Sequence, residues 1–408
     1  MRTLRLGKLF GVDVAIDRSW IFIFLLMSWN LASLFGRWHP NWSALLVVAV
    51  AITAALLFFA SLLLHEFAHS LTGKAFGIPV RNITLFLFGG VSHFENEPRS
   101  AGADFLISIV GPLASIAIGL FFFFLFTLTH FTYFTFGSGA DITIDPERAL
   151  SGLGPFGTLF LWLGPINVTV GLFNLIPAFP LDGGRVLRSL IWAVTKRPRN
   201  ATRTAAGVGQ IMAWLMMGLG IAAIFGLRVP FVARGPISGI WFAFIGWFLH
   251  SAALRTLEQT HIEELLEGVD VARLMRTRGT AIDATTPISQ LVNEVFLRSE
   301  ESIVPVLHEG HFLGMLSSDQ VRAIPSAEWT RRTAGELVTP VQQLQTTTPT
   351  EPMIDAMRKL VASDVGVLPV VEETRLVGLL LSEDIARWIE LHRGRGSMFG
   401  GQRPLWQG

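Results

Sequence analysis

The sequence predicts a polytopic α-helical membrane protein: six core transmembrane helices with a small membrane-associated β-hairpin or sheet, followed by a soluble α/β module of two repeats. Three observations carry this expectation. Of 408 residues, 51% are hydrophobic and only 15% are charged, against about a quarter charged in a soluble chain. Six stretches stay apolar over the roughly 20 residues that a bilayer-spanning helix needs. After about residue 256 the composition becomes that of a soluble domain, and it repeats.

In chain order, "MRTLRLGKLFGVDVAIDRSW" has basic residues but no uninterrupted apolar core before a small-residue cleavage site. No cleavable signal peptide is therefore expected. The alternation of Leu4, Leu6, Val12, Val14 and Ile16 reads as short strands or an interfacial segment. Helical spans are expected over residues 19–36, 44–73, 104–130, 155–177, 204–226 and 237–254. Residues 78–96 and 178–200 are only partly apolar, being interrupted by Gly, Pro and charge. "VRNITLFLFGGVSHFE" alternates about Gly89-Gly90 and is expected to form a hairpin. Such backbone survives at membrane depth only when buried in protein or beside a wet cavity.

Basic residues near the span ends set the orientation. With a cytosolic N-terminus, the inner segments hold Arg2, Arg5, Lys8, Arg18, Lys74, Arg185, Arg188, Lys196 and Arg197, among others. The outer segments hold only Arg37, Arg148, Arg228 and Arg234. Six spans then return the C-terminal module to the cytosol.

The chemistry concentrates in "LLLHEFAHS", residues 62–70, which follows a run from Ser43 to Leu64 without a single charged residue. His65 and His69 are four apart and share one face of a helix. Two imidazoles so placed can bind one divalent metal, with Glu66 beside them to take a proton from water at that metal, the H-E-x-x-H logic of metalloproteases. Ionisable residues inside a membrane are rare and functional by default. The bland alternative, three polar groups hydrogen-bonded in a bundle or lying at the interface, leaves their spacing unexplained.

A catalytic zinc takes three protein ligands and keeps one position open. "NLIPAFPLDGGR", residues 174–185, offers Asp182 after Pro177 and Pro180, which break or kink a helix. An N-cap on the following helix is the alternative for Asp182, and the two roles can coexist. Gly183-Gly184 permit close backbone approach and unusual dihedrals. Ligand type favours Zn²⁺, although cobalt or iron suits the same donors.

HEFAH in one span followed by NLIPAFPLDGG in a later one resembles the site-2 protease family, intramembrane zinc metalloproteases of peptidase family M50, over residues 1 to about 255. The repeats, marked by Thr286-Pro287 with Thr348-Pro349, Pro305-Val306 with Pro369-Val370, and Gly314 with Gly378, resemble tandem CBS domains. The resemblance implies a protease domain over 1–256, CBS repeats over 257–325 and 326–392, and a flexible tail over 393–408. It implies His65, His69 and Asp182 as ligands of one Zn²⁺, Glu66 as general base, and Asn174 as the group that orients substrate or stabilises the oxyanion. Phe88, Gly89, Gly90 and Val91, with the glycines at the hairpin turn, would present a strand edge to an unwound substrate. Gly111-Pro112 would serve helix packing.

CBS pairs bind adenine nucleotides through a hydroxyl residue and an Asp three positions later. Each repeat here keeps half of that pair, Ser317 with Gln320 and Leu381 with Asp384. ATP or AMP would therefore be held through Ser317 and Asp384, and a docking or homodimerising module is the other use. The implied substrate is a membrane-tethered regulatory protein of the anti-sigma or pro-sigma type, cut in or near its transmembrane segment within a bacterial or archaeal cell membrane. The lipid bilayer is the other partner. A CBS-regulated transporter or channel subunit would spread its polar groups over several spans, and an inactive scaffold would lack Glu66 or Asp182.

A net charge of +1 gives no hint of nucleic acid, and the absence of Cys excludes disulfides and thiolate sites. The histidines outside the motif lie near span ends or lack metal spacing.

Overall fold

The computed structural model describes residues 3–86, 89–94, 96–136, 150–229, 235–277, 280–298, 301–363 and 366–396. The alternating N-terminus forms two strands, β1 (Thr3–Leu9) and β2 (Val12–Asp17), about a turn at Phe10 and Gly11, both of positive φ. One residue then leads into α1 (Ser19–Trp38), which is followed by α2 (Ala44–Ala75). Ser43 caps α2, its Oγ accepting from the Leu46 N–H at 3.3 Å. Two helices between β2 and β3 (Val80–Phe86) return the chain to the same side, so these strands pair in parallel. β4 (Gly89–Phe94) pairs antiparallel with β3 and lies at one edge of the sheet, in the order β1-β2-β3-β4.

Phe86 faces Gly89 and Leu85 faces Gly90 in the register. The two glycines therefore open β4 and do not form the hairpin turn expected of them. Phe88 lies outside the described residues. The apolar face of the sheet, Val12, Val14, Val80 and Ile83, buries against Phe67 of α2, so the sheet is fixed to the helical turn that carries His65 and His69.

The chain continues through α3 (Ala101–Phe136), α4 (Pro155–Asn174), α5 (Asp182–Thr195), α6 (Pro198–Ile224) and α7 (Pro236–Leu265). Among the described residues, six helices are long and apolar enough to cross a bilayer, namely α1 to α4, α6 and α7. Each coincides with one expected span. The fourth stops at Asn174, three residues early, because a proline at 177 disfavours helical backbone before it. α7 runs to Leu265, past the composition change.

Side chains of α1, α2 and α4 form one core, with Leu31, Phe35, Val50, Ala54, Leu159 and Leu163 buried. α3 and α4 approach more closely through glycine, as membrane helices do where small residues let backbones meet. A Cβ on Gly119 would sit 2.7 Å from the Gly164 carbonyl oxygen, and one on Gly171 would sit 2.8 Å from that of Pro112.

The chain divides into two units, Met1–Glu258 and Gln259–Gly408. In the second, β5 (Ile282–Asp283), α8 (Ile288–Leu291), β6 (Ile303–His308), β7 (His311–Ser317) and α9 (Ser318–Arg322) are followed by α10 (Ala334–Leu337) and β8 (Thr339–Pro340). Then come α11 (Met353–Ala362), β9 (Val367–Glu372), β10 (Arg375–Leu381) and α12 (Ser382–Gly396).

The repeats exchange their leading segments. Val271 and Leu274 pack with Met353, Leu368, Val370 and Leu380, while Ala334 packs with Ile282, Ile288, Val304 and Leu316. β8 completes the sheet β5-β6-β7-β8. α12 extends to Gly396, so residues 393–396 of the expected tail are helical, and residues 397–408 lie outside the described residues.

Gly119→Val places a branched side chain against the backbone of α4. It is expected to destabilise the first unit by about 1–3 kcal/mol through overpacking, read as a lower thermal midpoint in detergent with helical circular dichroism unchanged at low temperature.

Candidate metal centre

The uninterrupted helical propensity of α2 sets three polar side chains within little more than one turn. His65 and His69 are buried and Glu66 is half-buried. The second contributor comes from the break that Pro177 and Pro180 impose between α4 and α5. The Ala178 carbonyl accepts from Leu181 N at 2.9 Å, and the chain re-enters helix at Asp182. Leu181 is the N-cap and Asp182 the first helical residue, so the alternative role of Asp182 as N-cap is excluded. Gly183 and Gly184 have ordinary φ values. They are glycines because their Cβ positions are filled by the backbone of residues 175–179.

His65 Nε2, His69 Nε2 and Asp182 Oδ2 form a nearly equilateral triangle. The separations are 3.1 Å between the imidazoles, 3.1 Å from His65 to Asp182 and 3.2 Å from His69 to Asp182. Among the described residues this is the only group of three His, Cys, Asp or Glu donors close enough to hold a metal ion. Donors at zinc–ligand distances and tetrahedral angles would lie about 3.3 Å apart, so the spacing fits a single ion.

The far sides of the rings are also held. His69 Nδ1 lies 2.5 Å from the Ile107 carbonyl oxygen. A carbonyl only accepts, so Nδ1 carries the proton and Nε2 presents its lone pair, the state a metal ligand requires. His65 Nδ1 meets Ser115 Oγ at 2.9 Å.

Both partners lie on α3, and so does Gly111, whose Cβ position is occupied by the His65 and His69 rings. The expected packing role of Gly111 takes a specific form. The absent side chain makes room for the two imidazoles. Asp104, fully buried one turn before Ile107, accepts from Arg188 Nη2 at 2.8 Å and Nε at 3.0 Å, and from Arg185 at 3.5 Å. These arginines follow Asp182 on α5, so the ion pair holds the helix bearing the carboxylate against α3. Asp104, Ile107, Gly111 and Ser115 recur every three or four residues and form one stripe. Sequence reasoning missed this stripe, although small or polar residues at that spacing in an apolar helix were its visible signal.

Asn174 ends α4 half-buried, and the triad's hydrogen bonds do not include it. Gly90 lies directly under the Glu66 side chain, which fills the place of a Cβ there. In the second unit, Ser317 caps α9, accepting from Gln320 N at 3.3 Å while its own N–H donates to Gln320 Oε1 at 2.8 Å. Ser317, Gln320 and Thr339 line a cleft of about 140 Å³ with Ser363, Val367 and Pro369. Asp384 is not on that cleft. It accepts two hydrogen bonds from Arg276, at 2.7 and 2.8 Å.

Gly111→Ala is expected to lower metal affinity at the triad by at least about tenfold, measured as metal content after dialysis against a chelator, with helicity retained.

The model of peptidase family M50 matches residues 53–219, and the CBS domain model matches residues 334–391. Rip3 of Mycobacterium tuberculosis, named as a zinc metalloprotease, is 29% identical over 390 residues, 95% of this chain and 93% of that protein. A zinc metalloprotease of Methanocaldococcus jannaschii is 25% identical over 314 residues, 77% of this chain and 78% of its own length. A solved site-2 protease from Methanocaldococcus jannaschii has 24% identity and a TM-score of 0.38, covering 63% of this chain and 95% of that one. Residues 53–219 thus match peptidase family M50, the site-2 protease family, residues 334–391 match a CBS domain, and the chain is a zinc metalloprotease.

Proposed function

We propose that His65, His69 and Asp182 hold one catalytic Zn²⁺ and that Glu66 is the general base. In this reading the enzyme hydrolyses a peptide bond in or near the transmembrane segment of a membrane-tethered regulatory protein of the anti-sigma or pro-sigma type. The observation that carries the reading is the triangle of three donor atoms from two helices, with the outer ring nitrogens already engaged. The chemistry that Zn²⁺ brings when bound there is Lewis acidity, toward the scissile carbonyl and toward water.

Glu66 accepts the proton released as water adds to the carbonyl carbon, and returns it to the nitrogen of the departing amine. Asn174 donates its amide N–H to the substrate carbonyl oxygen and so holds the scissile bond in place. A helical amide is shielded by its own hydrogen bonds, so the substrate segment unwinds. β4 is an edge strand, and Gly89, Gly90 and Val91 offer it a backbone row to pair with. The charge asymmetry of the loops supports a cytosolic N-terminus and CBS module.

For that module the reading is adenine-nucleotide control. The Ser363 hydroxyl, buried without a hydrogen-bond partner among the described residues, lines the cleft that Ser317 enters and supports a ligand there. At the other half-motif a nucleotide must displace Arg276 from Asp384.

Glu66→Gln is expected to lower cleavage of a tagged membrane-spanning substrate by at least about 100-fold while about one zinc per chain remains. Asp182→Ala is expected to lose the zinc as well. Cleavage at the parent rate by zinc-loaded Glu66→Gln would sink the mechanism.

In calorimetry of the full chain, ATP is expected to bind roughly 1.4- to 5-fold more tightly to Arg276→Ala, because a part-exposed ion pair stabilises by about 0.2–1 kcal/mol. Absence of any heat with either protein would leave docking as the module's use.

A further inference from the structure

The Glu66 carboxylate has a second neighbour that the H-E-x-x-H motif does not contain. Ser92 Oγ lies 2.6 Å from Glu66 Oε2, within the range of a hydroxyl donating to an ionised carboxylate. Ser92 faces α2 because strand residues two apart share a face. Gly90 lies under the Glu66 stem and Ser92 meets its end, so one side of β4 follows the whole length of that side chain.

A hydroxyl has one hydrogen, and two acceptors compete for it. The Glu66 backbone carbonyl is the weaker competitor, at 3.4 Å. A third group biases the choice. Ser70, fully buried four residues after Glu66 on the same face of α2, has its Oγ 3.1 Å from Ser92 Oγ. By donating into the Ser92 lone pair, Ser70 leaves the Ser92 hydrogen to point at Oε2. The chain of donors runs Ser70 to Ser92 to Glu66.

We propose that Ser92 is a positioning residue for the general base. It pins Glu66 Oε2 so that the other carboxylate oxygen, Oε1, is presented to water, and Ser70 orients Ser92. This rests on Glu66 acting as the base. Because Ser92 stands on the edge strand assigned to substrate docking, the strand that would receive the substrate also sets the angle of the base.

The test uses the full zinc-loaded chain and a quenched-fluorescent transmembrane peptide that the parent protein cleaves. Ser92→Ala is expected to lower kcat about 10- to 100-fold, with KM within about twofold and zinc content unchanged. Ser92→Thr, which keeps the hydroxyl, restores most of the rate. Ser70→Ala lowers kcat less, and adds little when combined with Ser92→Ala. A Ser92→Ala protein with parental kcat, beside an inactive Glu66→Gln protein, overturns the inference and leaves the base assignment standing. A rise in KM alone overturns it in favour of a docking role, and a rate loss that tracks zinc loss overturns it in favour of metal retention. Parental activity in Glu66→Gln overturns the base assignment and the inference together.

Discussion

Polar groups at membrane depth have no water to satisfy them, so they must find partners within the protein. The first unit is arranged around that constraint. Two clusters show it: His65 and His69 face Asp182, and Asp104 takes Arg185 and Arg188. The ring nitrogens that point away from the triad end on Ser115 and the Ile107 carbonyl. Most of these contacts involve α3, which serves as the post to which α2 and α5 are tied. A metal in the triangle of donors would replace mutual hydrogen bonds by coordination, without rearranging the helices.

Close approach is the second requirement, and glycine meets it. Gly111 leaves the space that the two imidazoles occupy, and Gly90 leaves the space for the Glu66 stem. The hairpin is therefore more than an edge for another strand to join. Its side toward α2 lies along the Glu66 side chain, and its apolar residues are buried against Phe67, between Glu66 and Ala68 in the chain. The strands and α2 pack as one body, so a shift of either is felt by the other.

In the second unit the two half-motifs are satisfied locally. Ser317 and Gln320 cap each other at the start of α9, and Gln320 also donates to Thr339 at 2.9 Å. Arg276 neutralises Asp384. Since the segment around Val271 completes the core of the second repeat and that around Ala334 completes the first, neither repeat buries its apolar residues alone. The stretch matched by the CBS domain model, 334–391, begins in the segment lent to the first repeat.

Composition and periodicity determined the six spans, the strand-forming N-terminus and the repeated soluble module, because hydrophobic run length and the helical and strand periods are local properties of the chain. The spacing of His65, Glu66 and His69 was equally legible, since four residues make one helical turn. Asp182 was named from its proline-bounded setting at the end of an apolar segment and from the resemblance to the site-2 protease family. That its oxygen lies about equally far from both imidazoles was decided only by the packing of α5 on α3 through Asp104. Ser92, Ser115, Ile107 and Gly111 were not legible as site residues. What each of them does depends on which groups on other elements it faces, and those pairings, 26 to 50 residues apart in the chain, exist only after the helices and the hairpin have packed.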